Sequence, residues 1–347
     1  MTITSNPFST TFGRQPDNYI SRLNEQNQIM SEFSSSQPSN YVYLLTGVRG
    51  SGKTVLLSAI AKHFIKEQDW IVVDPGPKDN ILENIAAEIY ETGRVKHLFL
   101  ESEFSFSFQG LTFSIKGKTP ITTVNSLLKK MLDQIKKKNK KVLITIDEVD
   151  NSPQMKLFIQ AYQSLIRLDY PVMLLMTGLY ENVSKLQEDK TLTFLYRAPK
   201  INLGPLSLNA IAGGYQRYLE VTDALAVDLA KLTKGYAYAY QVLGYLFFQK
   251  KKKEIDAELL ADYDQYLSEY VYEKVFSGLS LGEQEILKSF VSDDPMKVDD
   301  LRKKRGLTAS YFSNYRAKLI KEGILIAPSY GYLQFALPRF YEFLQLK

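Results

Sequence analysis

Gly47-Val48-Arg49-Gly50-Ser51-Gly52-Lys53-Thr54 satisfies the pattern G-x-x-x-x-G-K-[ST] at every fixed position. That spacing suits the binding of phosphate groups. Glycines let successive backbone N–H groups turn toward an anion where side chains would block its approach. A helix expected to begin near Lys53 adds the positive end of its dipole. Lys53 is then the cation for the β- and γ-phosphates, and the Thr54 hydroxyl is a ligand for Mg²⁺. Gly47, Gly50, Ser51, Gly52 and Val55 complete the lining expected around the phosphates. The plainer alternative is a glycine-rich turn with no ligand. The apolar strand before the motif and the helical pattern after it argue for the phosphate loop.

A second set of chemical groups lies 94 residues beyond Lys53. The apolar run Val142–Ile146 ends in Asp147-Glu148-Val149-Asp150. A buried strand that delivers Asp147 beside a phosphate loop lets it hold hydrated Mg²⁺. Glu148, directly after it, is placed to polarise an attacking water, the alternative being a solvated loop acid. The densest basic run, Lys136-Lys137-Lys138-Asn139-Lys140-Lys141, ends a predicted helix, where lysines complement the dipole and stay solvated. Lys250–Lys253 reads the same way, and nucleic-acid contact is the lesser reading for both runs.

The elements that must position these groups alternate in type. Strands are expected at Tyr41–Thr46, Ile71–Val73, Val142–Ile146, Val172–Met176 and Ile201–Leu203. Helices are expected at Arg22–Phe33, Lys53–Lys66, Asn80–Tyr90, Thr123–Lys138 and Met155–Leu168. Such alternation implies a parallel α/β sheet. Residues 98–116 interrupt it with a period-two pattern, Glu103–Phe108 and Leu111–Ile115 about Gln109-Gly110, which implies an inserted hairpin. Phe104, Phe106, Phe108 and Phe113 would form its apolar face, packed on the domain or open to a partner.

Composition sets the outer limits. At 347 residues the chain suits two or three domains. Apolar residues at 45% and charged residues at 23% describe a folded globular protein. No apolar run approaches the roughly eighteen residues of a membrane-spanning helix. The first twenty residues lack a basic start followed by an apolar stretch, so no secretory signal is expected. Cysteine is absent and only His63 and His97 supply imidazole, which excludes disulfides, thiolate chemistry and multi-histidine metal sites. A cytoplasmic address follows by elimination. The net charge of +5 permits nucleic-acid binding without arguing for it.

The phosphate loop and Asp147–Asp150, with later elements, resemble the AAA+ ATPases, in particular the branch of origin-recognition initiators, archaeal ATPases and STAND-like signalling NTPases. The resemblance spans most of residues 8–250 and implies ATP as the nucleotide. It implies further roles. Thr177, at the end of Met173–Met176, would be the polar residue that contacts the γ-phosphate or the attacking water. Arg197, in Phe194–Ala198, would be an arginine finger acting on a neighbouring subunit, against the plainer reading of a surface or ion-pair residue. Arg22, in Ser21-Arg22-Leu23-Asn24-Glu25, would lie on the adenine side, although only Arg22 and Glu25 match that element. No arginine occupies Gly235–Gln241, where the family's lid arginine is expected and Tyr238 or its neighbours stand instead. That departure implies a slow switch rather than a fast motor.

From Ala210 the pattern turns helical (Ala210–Leu219, Thr222–Thr233, Tyr238–Phe248, then helix to about Phe276). The segment from Ser280 resembles a winged-helix domain: helices Leu281–Val291, Val298–Arg305 and Ala309–Glu322, then strands Ile324–Ala327 and Tyr332–Ala336 about Pro328–Gly331. Residues 281–347 carry a net charge of +3, and residues 301–321 hold seven basic and no acidic side chains. On DNA, Ser310, Ser313 and Asn314 would approach base edges, with Arg316, Lys318 and Lys321 among the phosphate and base contacts. The alternative is a module that docks protein. The expectation is thus an α/β P-loop NTPase domain over 1–205 with the 98–116 insertion, a helical lid over 206–278 and a winged helix over 279–347. Its ligands would be ATP, ADP and Mg²⁺, its partners duplex DNA and further copies of itself. The rivals are a signalling or defence NTPase that docks protein, and a nucleotide-binding scaffold without turnover.

Overall fold

A computed structural model describes residues 5–347 except 12, 14, 79, 102–105, 109–110, 114–122 and 305. The chain forms two compact units, one of Leu23–Thr46 and Thr54–Ile201, the other of Met1–Arg22, Gly47–Lys53 and Asn202–Lys347.

The first unit is built on a sheet of strands β1 (Val42–Thr46), β2 (Trp70–Val73), β5 (Lys141–Ile146), β6 (Val172–Gly178) and β7 (Lys200–Asn202), in the order β2-β5-β6-β1-β7. The pairs β2–β5, β5–β6 and β1–β6 are parallel. Every residue of β1 and β6 is buried, which is why these strands read as unbroken apolar runs rather than alternating ones. Helix Pro153–Arg167 shows how the helices are fixed. Ser152 caps it by accepting from the Met155 N–H, and Pro153 needs no donor at the start. Its apolar stripe of Met155, Phe158, Ile159, Tyr162 and Leu165 is buried. The Tyr162 hydroxyl reaches the carbonyls of Tyr41 and Val172, each at 2.9 Å.

Two short strands, β3 (Phe106–Phe108) and β4 (Leu111–Phe113), pair antiparallel with Phe106 opposite Phe113. Residues 98–101 belong instead to a short helix, Lys96–Glu101, because Leu98 and Phe99 pack into the core. Phe104 and the rest of the expected hairpin lie outside the described residues. The basic run before β5 is structural. Lys136 donates to the Asp169 carbonyl, Lys140 to that of Gln68, and Lys141 to those of Phe33, Ser34 and Ser35.

The second unit is mainly helical: Leu208–Leu219, Asp223–Leu232, Ala237–Gln249, Ala257–Leu267 and Glu273–Ser277, the last two joined by a π-helical turn over Ser268–Tyr272. Helices Leu281–Leu287, Val298–Lys304 and Ala309–Lys321 follow, with a sheet of β8 (Met296–Lys297), β9 (Leu325–Ile326) and β10 (Tyr332–Phe335) in the order β8-β10-β9. One apolar core runs through the segments expected as the lid and the C-terminal domain. Tyr272 packs edge-on against Phe340 and Phe343, and its hydroxyl donates to the Pro338 carbonyl. Lys250 and Lys252 pair with Asp256, Glu258 and Asp262. Among the described residues no helix is long and apolar enough to cross a membrane.

Candidate functional site

Strand register brings the carboxylate chemistry together. In β6, Thr177 lies opposite Leu45 of β1, and its neighbour Met176 lies opposite Ile146, the residue before Asp147. Thr177 therefore stands beside the end of β5, fully buried. Its hydroxyl donates to Asp147 Oδ1. The other carboxylate oxygen, Oδ2, accepts from Thr54 Oγ1 at 2.7 Å. A threonine hydroxyl and a carboxylate oxygen in contact are the hard oxygen donors that suit Mg²⁺.

Glu148 is exposed and its backbone is left-handed, with φ at +55°. That conformation costs a non-glycine residue roughly 1–2 kcal/mol and persists only where surroundings impose it. Here they do. The Glu148 N–H donates to Asp147 Oδ1 at 3.1 Å and to Thr177 Oγ1 at 3.2 Å, and the Val149 N–H donates to the Thr177 carbonyl at 2.8 Å. The turn after β5 is thus tied to β6 on both sides of Glu148.

Sequence reasoning missed a second carboxylate group at this edge. Thr145 Oγ1 donates to Asp74 Oδ1 at 3.2 Å, and the Asp74 N–H donates to Glu88 at 2.7 Å. Burial, with the Asp147 charge as a further cause, pushes the Asp74 carboxyl above the usual range. Burial likewise raises Glu88. The available signal was an aspartate closing β2, the neighbour of β5.

In the second unit, the phosphate loop is bound through its carbonyls. Lys53 Nζ donates to the carbonyls of Gly47 at 2.9 Å and Val48 at 3.0 Å. Tyr236 Oη donates to the Arg49 carbonyl, and the Tyr238 N–H to that of Gly50 at 3.1 Å. Gly50 has φ +77°, and a Cβ there would collide with the Tyr236 hydroxyl. Arg22, expected on the adenine side, is buried, with Nη2 on the carbonyls of Ser51 at 3.1 Å and Gly204 at 2.8 Å. Ser51 is buried and Gly52 half-buried, as are Thr54 and Val55 at the start of helix Lys53–Lys66 in the other unit.

Comparison with known proteins bears on the fold. Residues 19–175 match the family described as the AAA ATPase domain. Residues 269–344 match a family described as a domain of unknown function. Among curated proteins none is similar in sequence. A Walker-type ATPase of Pyrococcus abyssi has a similar fold, with TM-score 0.65 at 11% identity over 95% of this chain and 96% of that one. The ORC2 protein of Aeropyrum pernix, in ADPNP and ADP complexes, gives 0.60 at 15% identity over 97% and 96%. These likenesses establish the fold, that of a P-loop NTPase.

The remaining expected residues belong to other elements. Arg197 ends a short 3-10 turn, Leu195–Arg197, and is exposed. No carboxylate pairs with it among the described residues. On helix Ala309–Lys321, Ser310, Ser313, Asn314 and Lys321 are exposed and Arg316 is half-buried. Lys318, also expected at the DNA, is half-buried and ion-paired. Its ammonium lies 3.0 Å from the fully buried Glu283 and 3.6 Å from Glu322, because an uncompensated buried carboxylate would be costly.

Proposed function

We propose that the chain binds ATP with Mg²⁺ on Gly47–Thr54 and hydrolyses it slowly to ADP, using nucleotide state to switch its conformation or assembly. The contact between Thr54 Oγ1 and Asp147 Oδ2 carries this reading. Lys53 and the loop N–H groups hold the phosphates, and Thr54 and Asp147 hold the metal. Mg²⁺, when bound, neutralises charge on the β- and γ-phosphates. Glu148 polarises the attacking water from a backbone held by Asp147 and Thr177, and Thr177 orients the γ-phosphate or that water. Arg197, exposed and with no carboxylate partner among the described residues, serves a neighbouring copy's nucleotide in a nucleotide-dependent assembly. The test is calorimetric ATP binding with and without Mg²⁺. Lys53→Ala should weaken binding more than tenfold, above about 1.4 kcal/mol. Undiminished affinity in the folded variant defeats the assignment.

We read residues 279–347 as a winged helix that binds duplex DNA, with the protein in the cytoplasm. The helix–strand order and the exposed Ser310, Ser313, Asn314 and Lys321 support this. The pairing of Lys318 with Glu283 favours the second reading, a signalling NTPase whose C-terminal segment docks protein, because it removes one cation from the surface. Duplex affinity of the full chain across a salt series separates the two. DNA binding predicts a log–log slope that flattens by roughly one unit in Lys321→Ala. No binding at low salt, with or without ATP, gives the case to protein docking.

A further inference from the structure

Five consecutive carbonyls of the phosphate loop, from Gly47 to Ser51, each accept a hydrogen bond from the chain's own donors. Lys53 takes those of Gly47 and Val48, Tyr236 that of Arg49, the Tyr238 N–H that of Gly50, and Arg22 that of Ser51. The Ser51 N–H also donates to Val48. No peptide bond among the described residues is cis. Across a trans peptide plane the carbonyl and the next residue's N–H point in opposite directions. Fixing the carbonyl of residue i therefore fixes the direction of the N–H of residue i+1. Phosphate on Lys53 would compete with only the first two carbonyls. The other three are held by Arg22, Tyr236 and Tyr238, none of which needs to move when an anion arrives.

Two of these donors are side chains from distant parts of the sequence. Arg22 spans two carbonyls, at 3.1 Å to Ser51 and 2.8 Å to Gly204, and so links the loop to the chain entering the helical unit. Tyr236 is buried, and Gly50 leaves just the room its hydroxyl occupies. Burial raises its phenol far above the ordinary range, so it remains a donor throughout the physiological pH range.

We propose that Arg22 and Tyr236 are positioning residues that preorganise the phosphate loop by taking up its carbonyls, so that its N–H groups are already aimed when a phosphate enters. This rests on the nucleotide reading above and gives Arg22 a role different from contact with the base. Preorganisation lowers the ordering cost of binding, so its loss appears in affinity rather than in the chemical step.

The experiment measures three quantities on the full chain for Tyr236→Phe, Arg22→Ala and Arg22→Lys. The first is hydrogen exchange of the 47–54 amides without nucleotide. The second is the dissociation constant for ATP and for inorganic tripolyphosphate, by displacement of a fluorescent ATP analogue. The third is phosphate release at saturating ATP. Tyr236→Phe should accelerate exchange in the loop and weaken ATP roughly fivefold, equivalent to about 1 kcal/mol, with maximal turnover changed less than about twofold. Arg22→Ala should weaken ATP and tripolyphosphate by the same factor, with Arg22→Lys recovering part of it. Unchanged loop exchange and unchanged ATP affinity in Tyr236→Phe overturn the proposal. For Arg22, a loss confined to ATP with unchanged exchange overturns it in favour of a base contact. Faster loop exchange in the variants of a parent that binds no ATP leaves the positioning standing and defeats the nucleotide reading instead. Should Arg22→Ala fail to fold, Tyr236→Phe alone decides.

Discussion

Thr177→Val isolates the link between β6 and the carboxylates after β5. Valine keeps the volume of the fully buried threonine and removes only its hydroxyl. Two hydrogen bonds go with it, the donation to Asp147 Oδ1 and the acceptance from the Glu148 N–H at 3.2 Å. Asp147 keeps Thr54 on Oδ2 and the Glu148 N–H on Oδ1, so the carboxylate is weakened rather than stranded. A hydrogen bond to a charged group contributes about 1.5–3 kcal/mol, and the half-buried Asp147 belongs at the low end of that range. For a unit of this size that lowers the melting temperature by on the order of 5 °C. The functional loss should exceed the structural one. Glu148 sits in a left-handed conformation maintained partly by this hydroxyl, and a reacting group displaced by about 1 Å can lose on the order of a hundredfold in rate. Phosphate release at saturating ATP should fall ten- to a hundredfold while the ATP dissociation constant stays within about threefold. Thr177→Ser keeps a hydroxyl and should recover most of the turnover. A variant that melts lower but turns over like the parent would show that Thr177 only supports the strand, and the mechanism assigned to it would be refuted.

Glu148→Gln keeps the shape and loses the base, so it should retain ATP while turnover drops on the order of a hundredfold, read by single-turnover phosphate release. Arg197→Ala should impair hydrolysis only where chains assemble, and mixing it with Glu148→Gln chains should restore part of the activity; no restoration marks Arg197 as a surface residue. The pH dependence has a definite sign at Asp74 and Glu88, whose native carboxyls are both raised. The native state then binds more protons than the unfolded chain, so their contribution to stability is full below about pH 4 and declines as pH rises through the raised values. Asp74→Asn should raise the melting temperature of the magnesium-free protein at pH 7, and the gain should shrink by pH 4. A pH-independent difference contradicts the raised Asp74 value.

What the sequence made legible follows from locality. Buried parallel strands are continuous apolar runs, so Val142–Ile146 and Val172–Met176 announced themselves, and the loop motif and Asp147 came with them. The helix Tyr180–Glu188 was not seen, because Ser, Gln, Lys and Glu leave it with only Val183 and Leu186 as buried apolar residues. Helix Leu281–Leu287 stops earlier than its apolar pattern suggested. Ser289 turns its buried hydroxyl back to the Ile286 carbonyl instead of continuing the helix. Partnerships across long stretches of chain were invisible for a different reason. Tyr236 and Arg49 are 187 residues apart, and no periodicity encodes that a phenol at one position will meet a carbonyl at the other. Lys318 belongs to the same class, since its charge suggested a phosphate while its position in the fold supplied Glu283.

The tyrosines bear on why turnover should be slow. A lid arginine would add positive charge where negative charge develops on the transferred phosphoryl group, and such a cation in a closed site is worth several powers of ten in rate. Tyr236 offers a neutral phenol, which is engaged with the Arg49 carbonyl, and Tyr238 reaches the Gly50 carbonyl through its backbone N–H. They can fix the loop, which favours binding, but they bring no charge to the transition state, which is what hydrolysis needs. Within one chain that leaves Lys53 and the metal to carry the charge stabilisation. Arg197, exposed and without a carboxylate partner among the described residues, is the guanidinium that a neighbouring copy could add. Tight binding with slow turnover in the isolated chain, accelerated by assembly, is therefore what this distribution of charge implies.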